Sequence, residues 1–250
     1  MTLLPANLQA QLQSADVHAR SQAALALQPG TVEAALAIPA LVELIVSDLD
    51  LNVVEDATWV LVRYGAAATE ALLLALPGAA APARHNLVHA LGKIGDSRAL
   101  PALIAATDDA EPKVRLKASY ALGQIGDAGA LAALIARLGD DEQAVSWTAR
   151  EVVEGFGAQA LPHLVAALQH ESATVRELVA NLLGDLADGR AVEPLIAALE
   201  TPDWPVRFAI IEALGAIGDA RARAAIQPHL DDPHASVRAM AARVLPRLKG

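Results

Sequence analysis

The amino-acid sequence predicts an all-α solenoid of about eight stacked helix pairs. Three observations predict it. A segment recurs about every 31 residues, apolar side chains in each copy are spaced three and four apart, and the 54% apolar content comes mostly from alanine and leucine, with only 3% aromatic residues. Alanine and leucine favour helix over strand. Spacings of three and four place apolar groups along one helix face. A fixed period of this length marks an array in which each unit packs only on its neighbours. Such an array escapes the size limit of a single core, so residues 1–250 are expected to form one continuous domain, with a capping helix within 1–13 and a closing helix within 235–250.

The recurring segment is clearest from Val114 to Asp127. Aligned on its valine, the copies begin at Val17, Val53, Ala83, Val114, Val145, Val175, Val206 and Val237, in steps of 36, 30, 31, 31, 30, 31 and 31 residues. The long first step puts about five extra residues around Gln28 to Leu36. With the anchor as position zero, position eight is always leucine or valine (Leu25, Leu61, Leu91, Leu122, Val153, Leu183, Leu214, Leu245). Positions four and seven are small or aliphatic. Position eleven is large and mostly apolar, from Tyr64 and Ile94 to Phe156 and Leu248. Together these positions predict one buried stripe on a helix of about fourteen residues. Glycine follows at Gly65, Gly95, Gly126, Gly157 and Gly218, as a left-handed cap would require. Asp96, Asp127, Asp188 and Asp219 come next, suited to capping a second helix. That helix carries sets such as Leu131-Leu134-Ile135-Leu138, and acidic turns such as Asp108-Asp109 and Asp231-Asp232 close the unit. Glycine at position nine (Gly92, Gly123, Gly184, Gly215) predicts close helix packing. Repeats two and five depart from the pattern, with Val62 and Glu154 at that place.

The motif Val-Arg-x-x-Ala-x-x-Ala-Leu-Gly-x-Ile-Gly-Asp resembles the HEAT-like repeats of the bilin-lyase type, the PBS-lyase HEAT repeats, over residues 14–250. The resemblance implies a right-handed superhelix of sixteen helices whose concave surface is lined by positions two, three, six and ten. It leaves function open, because repeats of this kind occur in binding proteins, in lyase subunits and in a few enzymes. The leading expectation is a scaffold or adaptor that binds another protein or peptide, without cofactor or catalytic residues. The alternative is a subunit of a bilin lyase or isomerase acting on phycobiliprotein chromophores.

The variable positions name the candidate partner-binding residues: Glu55, Trp59, His85, His89, Leu116, Lys117, Tyr120, Trp147, Glu151, Glu177, Leu178, Phe208 and Glu212. Of seven aromatic residues, Tyr64 and Phe156 fall in the expected core and Trp59, Tyr120, Trp147 and Phe208 on the variable face. Trp204 lies at position minus two, where a ring covers the seam between repeats. Position six is about 200° from the buried leucine and position two about 120° from it. Trp59 and Tyr120 are therefore expected to be open, with Trp147 and Phe208 at the stripe's edge. Such rings either pack between repeats or serve as interface anchors. Arg63, Lys93, Lys113 and Lys117 give the middle repeats a basic face, and Glu151, Glu177, Asp185 and Glu212 an acidic one further on, an asymmetry suited to orienting a partner.

Several functions are disfavoured. A net charge of −10 argues against a nucleic-acid partner, which needs Lys and Arg against phosphates. No apolar run spans a membrane, and no secretory signal is visible in residues 1–20. Without cysteine there is no disulfide or thiolate chemistry, and a cytoplasmic location is expected. The arginine after each anchor (Arg84, Arg115, Arg176, Arg207, Arg238) is expected to pair with an aspartate of a neighbouring turn such as Asp127 or Asp219. His85 and His89, near Glu55 and Asp56, make a weak metal candidate, with a surface histidine pair the simpler reading. Deoxyhypusine hydroxylase, a HEAT-repeat enzyme, holds two irons with His-Glu pairs at positions two and three. The only His-Glu pair here, His170-Glu171, lies elsewhere in the repeat. No set of side chains assembles a nucleophile, base and orienter.

Overall fold

The computed structural model describes residues 3–248, all of whose regular elements are helical apart from one isolated bridge between Pro29 and Val32. The outermost residues of the expected 1–250 array, Met1, Thr2, Lys249 and Gly250, lie outside the described residues. The chain forms two compact units, Met1–Asp127 and Ala128–Gly250. The first holds α1 (Ala6–Leu12), α2 (Val17–Ala26), α3 (Ala34–Ser47), α4 (Leu51–Tyr64), α5 (Ala66–Ala75), α6 (Ala81–Ile94), α7 (Leu100–Ala106) and α8 (Pro112–Ile125). The second holds α9 (Leu131–Ala136), α10 (Gln143–Gly155), α11 (Leu161–Ala167), α12 (Ala173–Leu186), α13 (Val192–Ala198), α14 (Trp204–Ile217), α15 (Ala222–Ile226) and α16 (Ala235–Val244). Each unit is thus four helix pairs, with the even-numbered helix of each pair carrying the Val-Arg motif.

The expected stripe is buried in the motif helices. Val53, Ala57, Val60 and Leu61 of α4, and Val114, Ala118, Ala121 and Leu122 of α8, are all buried. Position five belongs to the stripe in repeats two, three, four, six and seven, where Thr58, Val88, Ser119, Ala180 and Ile211 are buried. It lies three residues before the leucine at eight, on the same side of the helix. Position eleven is not core: Tyr64, Ile94, Ile125, Phe156, Leu186 and Ile217 are half-buried, and only Leu248 is fully covered. These residues end their helices, where the neighbouring pair no longer covers them. Tyr64 uses the edge position to donate its hydroxyl to the Leu27 carbonyl at 2.9 Å.

Repeat one needs a correction. Every motif helix from α4 onward starts two residues before its anchor, whereas α2 starts on Val17 itself. Val17 and Leu25 are half-buried, while Ala23, Ala24 and Leu27 are covered. Ala19 is therefore the anchor, Arg20 holds position one and Leu27 position eight. The extra residues form a short loop in which Gly30 has φ 92° and the Thr31 hydroxyl donates to the carbonyls of Ala26 and Gln28. The closing helix also differs from expectation. It stops at Val244 and continues as a 3₁₀ turn, Leu245–Arg247, because Pro246 has no N–H to donate and its ring crowds the preceding turn.

Left-handed caps end α6, α8 and α14 at Gly95, Gly126 and Gly218. Repeat six lacks the glycine, and Ala187 takes the left-handed conformation instead, at φ 51°. Asp96 and Asp188 cap the following 3₁₀ turn, and Asp219 the turn that leads into α15, by accepting from the backbone N–H of Arg98, Arg190 and Arg221. The same arginines return their guanidinium groups to those carboxylates. These bonds to Arg98 hold the Asp96 carboxyl well below the usual carboxylate range, and those to Arg190 bring Asp188 to about 2.

Asp219 is therefore not the partner of a position-one arginine, as the sequence suggested. Those arginines reach the acidic turn ahead of the next motif helix. Arg84 clamps Asp109 through two bonds of 2.6 Å, Arg207 clamps Asp232 at 2.8 and 3.0 Å, Arg20 reaches Asp48 and Arg176 reaches Asp203. The other terminal nitrogen donates backward to turn carbonyls, as from Arg207 to Thr201 and Pro202. One side chain thereby ties the start of its own helix to the next repeat. Bidentate charge-assisted bonds in a partly dry site are the strong kind.

Position nine sets how closely motif helices approach. A methyl group at Gly92 would meet Ala121 Cβ at 2.5 Å and Cα at 2.9 Å, and one at Gly184 would meet Ala213 Cα at 2.9 Å. The pairs α6–α8 and α12–α14 accordingly pack along their length, while α4, with Val62, touches α6 less and α10, with Glu154, stands off from α12. A cleft of about 220 Å³ opens where α10 and α12 part, lined by Val153, Glu154, Gly157, Leu164, Leu182 and Leu186 among others.

Candidate functional site

The variable positions of α4, α6 and α8 build one face in the first unit. Trp59 on α4 and Tyr120 on α8, both at position six, are 50% and 49% exposed. Each carries a cation over its ring: Arg63 lies 5.0 Å from the Trp59 ring centre and Lys117 lies 5.9 Å from that of Tyr120. Cation–π contacts of this kind keep a ring and a charge presented together. The signal is present in the sequence, since the ring and cation of each pair are four and three residues apart on one helix. Arg63 also bonds the Gln28 side chain.

Between them, α6 presents His85 and His89, both half-buried. Burial lowers both imidazole pKa values below the ordinary 6.5, and nearby Lys117 adds to the effect. Lys113 opposes protonation of His85, and Lys93 that of His89, while Glu111 and Glu55 respectively favour it. The His89 Nε2 lies 3.9 Å from Glu55 Oε1, and its buried Nδ1 finds no hydrogen-bond partner among the described residues. The neighbouring lysines repel a cation from these imidazoles. Among the described residues no group of three or more His, Asp or Glu has the arrangement to hold a metal ion. Of the other candidates here, Glu55 is exposed and Leu116 and Lys117 are half-buried.

In the second unit the corresponding face lies on α10, α12 and α14. Trp147, at position two, is 64% exposed, the most open ring of the four, whereas Phe208 at the same position is half-buried. Periodicity alone ranked both below Trp59 and Tyr120. The difference follows from packing: α10 stands off from α12, which therefore leaves its edge open, while α14 lies closely between α12 and α16. Glu151 and Glu212 are exposed, and Glu177 and Leu178 half-buried. The acidity expected here is partly neutralised, since Arg150 bridges Glu154 at 2.7 Å and Asp185 at 3.0 Å, and Arg243 reaches Glu212 at 3.1 Å. Trp204 stacks on His234 of the next repeat, centroids 3.7 Å apart and planes within 6°, as a seam-covering ring should.

No helix among the described residues is long and apolar enough to cross a membrane. The sequence matches no curated protein significantly. Among solved structures, human deoxyhypusine hydroxylase is similar at 24% identity, over 97% of this chain and 94% of that one, with a TM-score of 0.43. YibA of E. coli is similar at 19% identity over 98% and 93%, with a TM-score of 0.47. The complex of CpcE and CpcF of phycocyanin lyase from Nostoc sp. PCC7120 is similar at 23% identity over 100% and 96%, with a TM-score of 0.35. A family model of HEAT repeats matches residues 69–154 and 161–246, well over half of the sequence. The chain belongs to the HEAT-repeat family.

Proposed function

We propose that this chain is a protein-binding scaffold that works through the variable faces of its motif helices, without chemistry of its own. The observation that carries the reading is the placement of its rings. In a chain with seven aromatic residues, Trp59, Tyr120 and Trp147 are about half exposed or more, all at positions that vary between repeats. Covering the core does not require rings there, and aromatic side chains flanked by charges are the usual anchors of protein interfaces. The half-buried candidates lie at variable positions of the motif helices in the same units: His85, His89, Leu116 and Lys117 in the unit of Trp59 and Tyr120, and Glu177, Leu178 and Phe208 in that of Trp147.

The test is capture of a partner from the native host, followed by a titration with the purified partner. Trp59→Ala combined with Tyr120→Ala should weaken binding by roughly 2 kcal/mol or more, about thirtyfold, and leave thermal stability nearly unchanged, since exposed rings contribute little to the core. A large loss of stability with affinity unchanged would show that the rings serve folding. Mixing the protein with a free bilin tests the lyase alternative: a stoichiometric shift in absorbance would replace the scaffold reading.

A further inference from the structure

Resting on the reading of the α4–α6–α8 face as a docking surface, we propose that its occupant is an acidic segment of a partner protein, with carboxylates interleaved among apolar side chains. The argument is charge complementarity. In the first unit Arg20, Arg84 and Arg98 are each tied to an aspartate. Arg63, Lys93, Lys113 and Lys117 have no carboxylate partner among the described residues, and these four are the cations on or beside this face. The three lysines stand close together: Lys113 and Lys117 both act on His85, and Lys93 and Lys117 on His89. The carboxylates acting on these histidines are Glu55 and Glu111, and Asp56, also on α4, accepts from the Ser21 hydroxyl. The chain as a whole carries a net charge of −10, so an acidic segment is repelled by most of the surface and attracted here, which favours one site and one register.

The pairing of each ring with a cation narrows the chemistry further. Trp59 with Arg63, and Tyr120 with Lys117, offer an apolar plane next to a positive charge at both edges of the face. Such a pair suits neighbouring apolar and acidic side chains on one strand. Adjacent packed helices lie about 8–10 Å apart. The two rings, two helices apart, are therefore separated by about 16–20 Å, the reach of about six extended residues.

A library of random dodecapeptides selected on the immobilised full chain tests the assignment. Selected peptides should be enriched in Asp and Glu alternating with Leu, Ile or Phe, and their affinity should fall as ionic strength rises. Lys113→Glu combined with Lys117→Glu should weaken them by at least about tenfold, with the circular-dichroism melt unchanged. The proposal is overturned if no peptide is enriched, if enriched peptides carry no excess of acid, if charge reversal leaves affinity intact, or if a single-stranded oligonucleotide binds more tightly than any peptide. Trp59→Ala with Tyr120→Ala separates the two readings. Neutral peptides that lose affinity in this aromatic variant leave the docking face standing and remove its acidic occupant. Peptides indifferent to it remove the docking face too.

Discussion

Adding one methyl group at Gly92 or Gly184 should destabilise the fold, although alanine is the better helix former. In an open helix interior, glycine to alanine gains about 1 kcal/mol. At Gly92 the new Cβ would lie 2.5 Å from Ala121 Cβ and 2.9 Å from its Cα, and at Gly184 it would lie 2.9 Å from Ala213 Cα. Carbon atoms prefer about 3.5–4.0 Å, and a backbone Cα cannot rotate away. The helices must therefore part by about an ångström along a contact that is otherwise dry, an overpacking that costs about 1–3 kcal/mol. Subtracting the propensity gain leaves a net loss of up to about 2 kcal/mol, or a melting temperature lower by up to about 8 °C. Gly155 is the control, because nothing lies within 4 Å of the Cβ it would gain. Gly155→Ala should be neutral or stabilising by about 0.5 kcal/mol. Urea unfolding followed by circular dichroism compares all three. If Gly92→Ala and Gly184→Ala match or exceed the parent in stability, position nine does not govern helix approach and the account of repeats two and five fails with it.

Other outcomes follow from the same geometry. Ala187→Gly should raise stability by about 0.5–1 kcal/mol, since the left-handed conformation costs an L-residue about 1–2 kcal/mol and glycine returns part of that as unfolded-state entropy; a lower urea midpoint would contradict it. Asp232→Asn should cost about 2–3 kcal/mol at neutral pH, because the buried carboxylate accepts from Arg207 twice and from the His234 backbone, and its loss leaves the Arg207 guanidinium unmatched. The Arg207 hydrogen bonds depress the Asp232 carboxyl below its unfolded value of about 3.9. Its contribution is thus complete above that value and lost as pH falls through it towards the lower folded value, so parent and variant melts should converge in acid. His85 and His89 act at higher pH. Burial lowers both pKa values below 6.5, so the unfolded chain takes up protons first and stability should decline as pH falls from about 7 towards 5. His85→Gln with His89→Gln should flatten that slope, and an unchanged slope would mean the imidazoles are not the groups responsible.

The repeat was legible because it rests on strictly local rules. Helix propensity, the three-and-four spacing, the glycine stop and the aspartate cap each act within a few residues, and repetition let weak signals reinforce one another. The error at repeat one shows the limit. Val17 matches the anchor by residue type and Ala19 does not, so alignment by type chose the wrong residue. The deciding facts are the start of α2 and the reach of Arg20 to Asp48, which is 28 residues away in the chain. The partners of the position-one arginines were missed for a similar reason. Several aspartates recur with the same period, and only three-dimensional packing tells which turn each guanidinium meets.

The candidate face was half legible, and one residue explains the rest. Side-chain direction follows from periodicity, so position six was readable as open and position two as marginal. Whether a marginal ring is covered depends on how near the next helix comes, and position nine decides that. Trp147 and Phe208 hold the same position in their repeats. Glu154 in the helix of the first keeps α10 away from α12, while Gly184 and Gly215 let α14 settle between its neighbours. The ring beside the glutamate is therefore exposed and the ring among the glycines is half covered. In the first unit Val62 stands at the same place on the helix that presents Trp59. Among the internal repeats, two and five lack the glycine, pack less closely on the next motif helix, and carry Trp59 and Trp147. A local departure from the repeat's packing pattern that leaves a large ring open to solvent is the kind of departure that binding sites show. Trp59 and Trp147, in the irregular repeats, join Tyr120 as the places where a partner's contacts should first be sought.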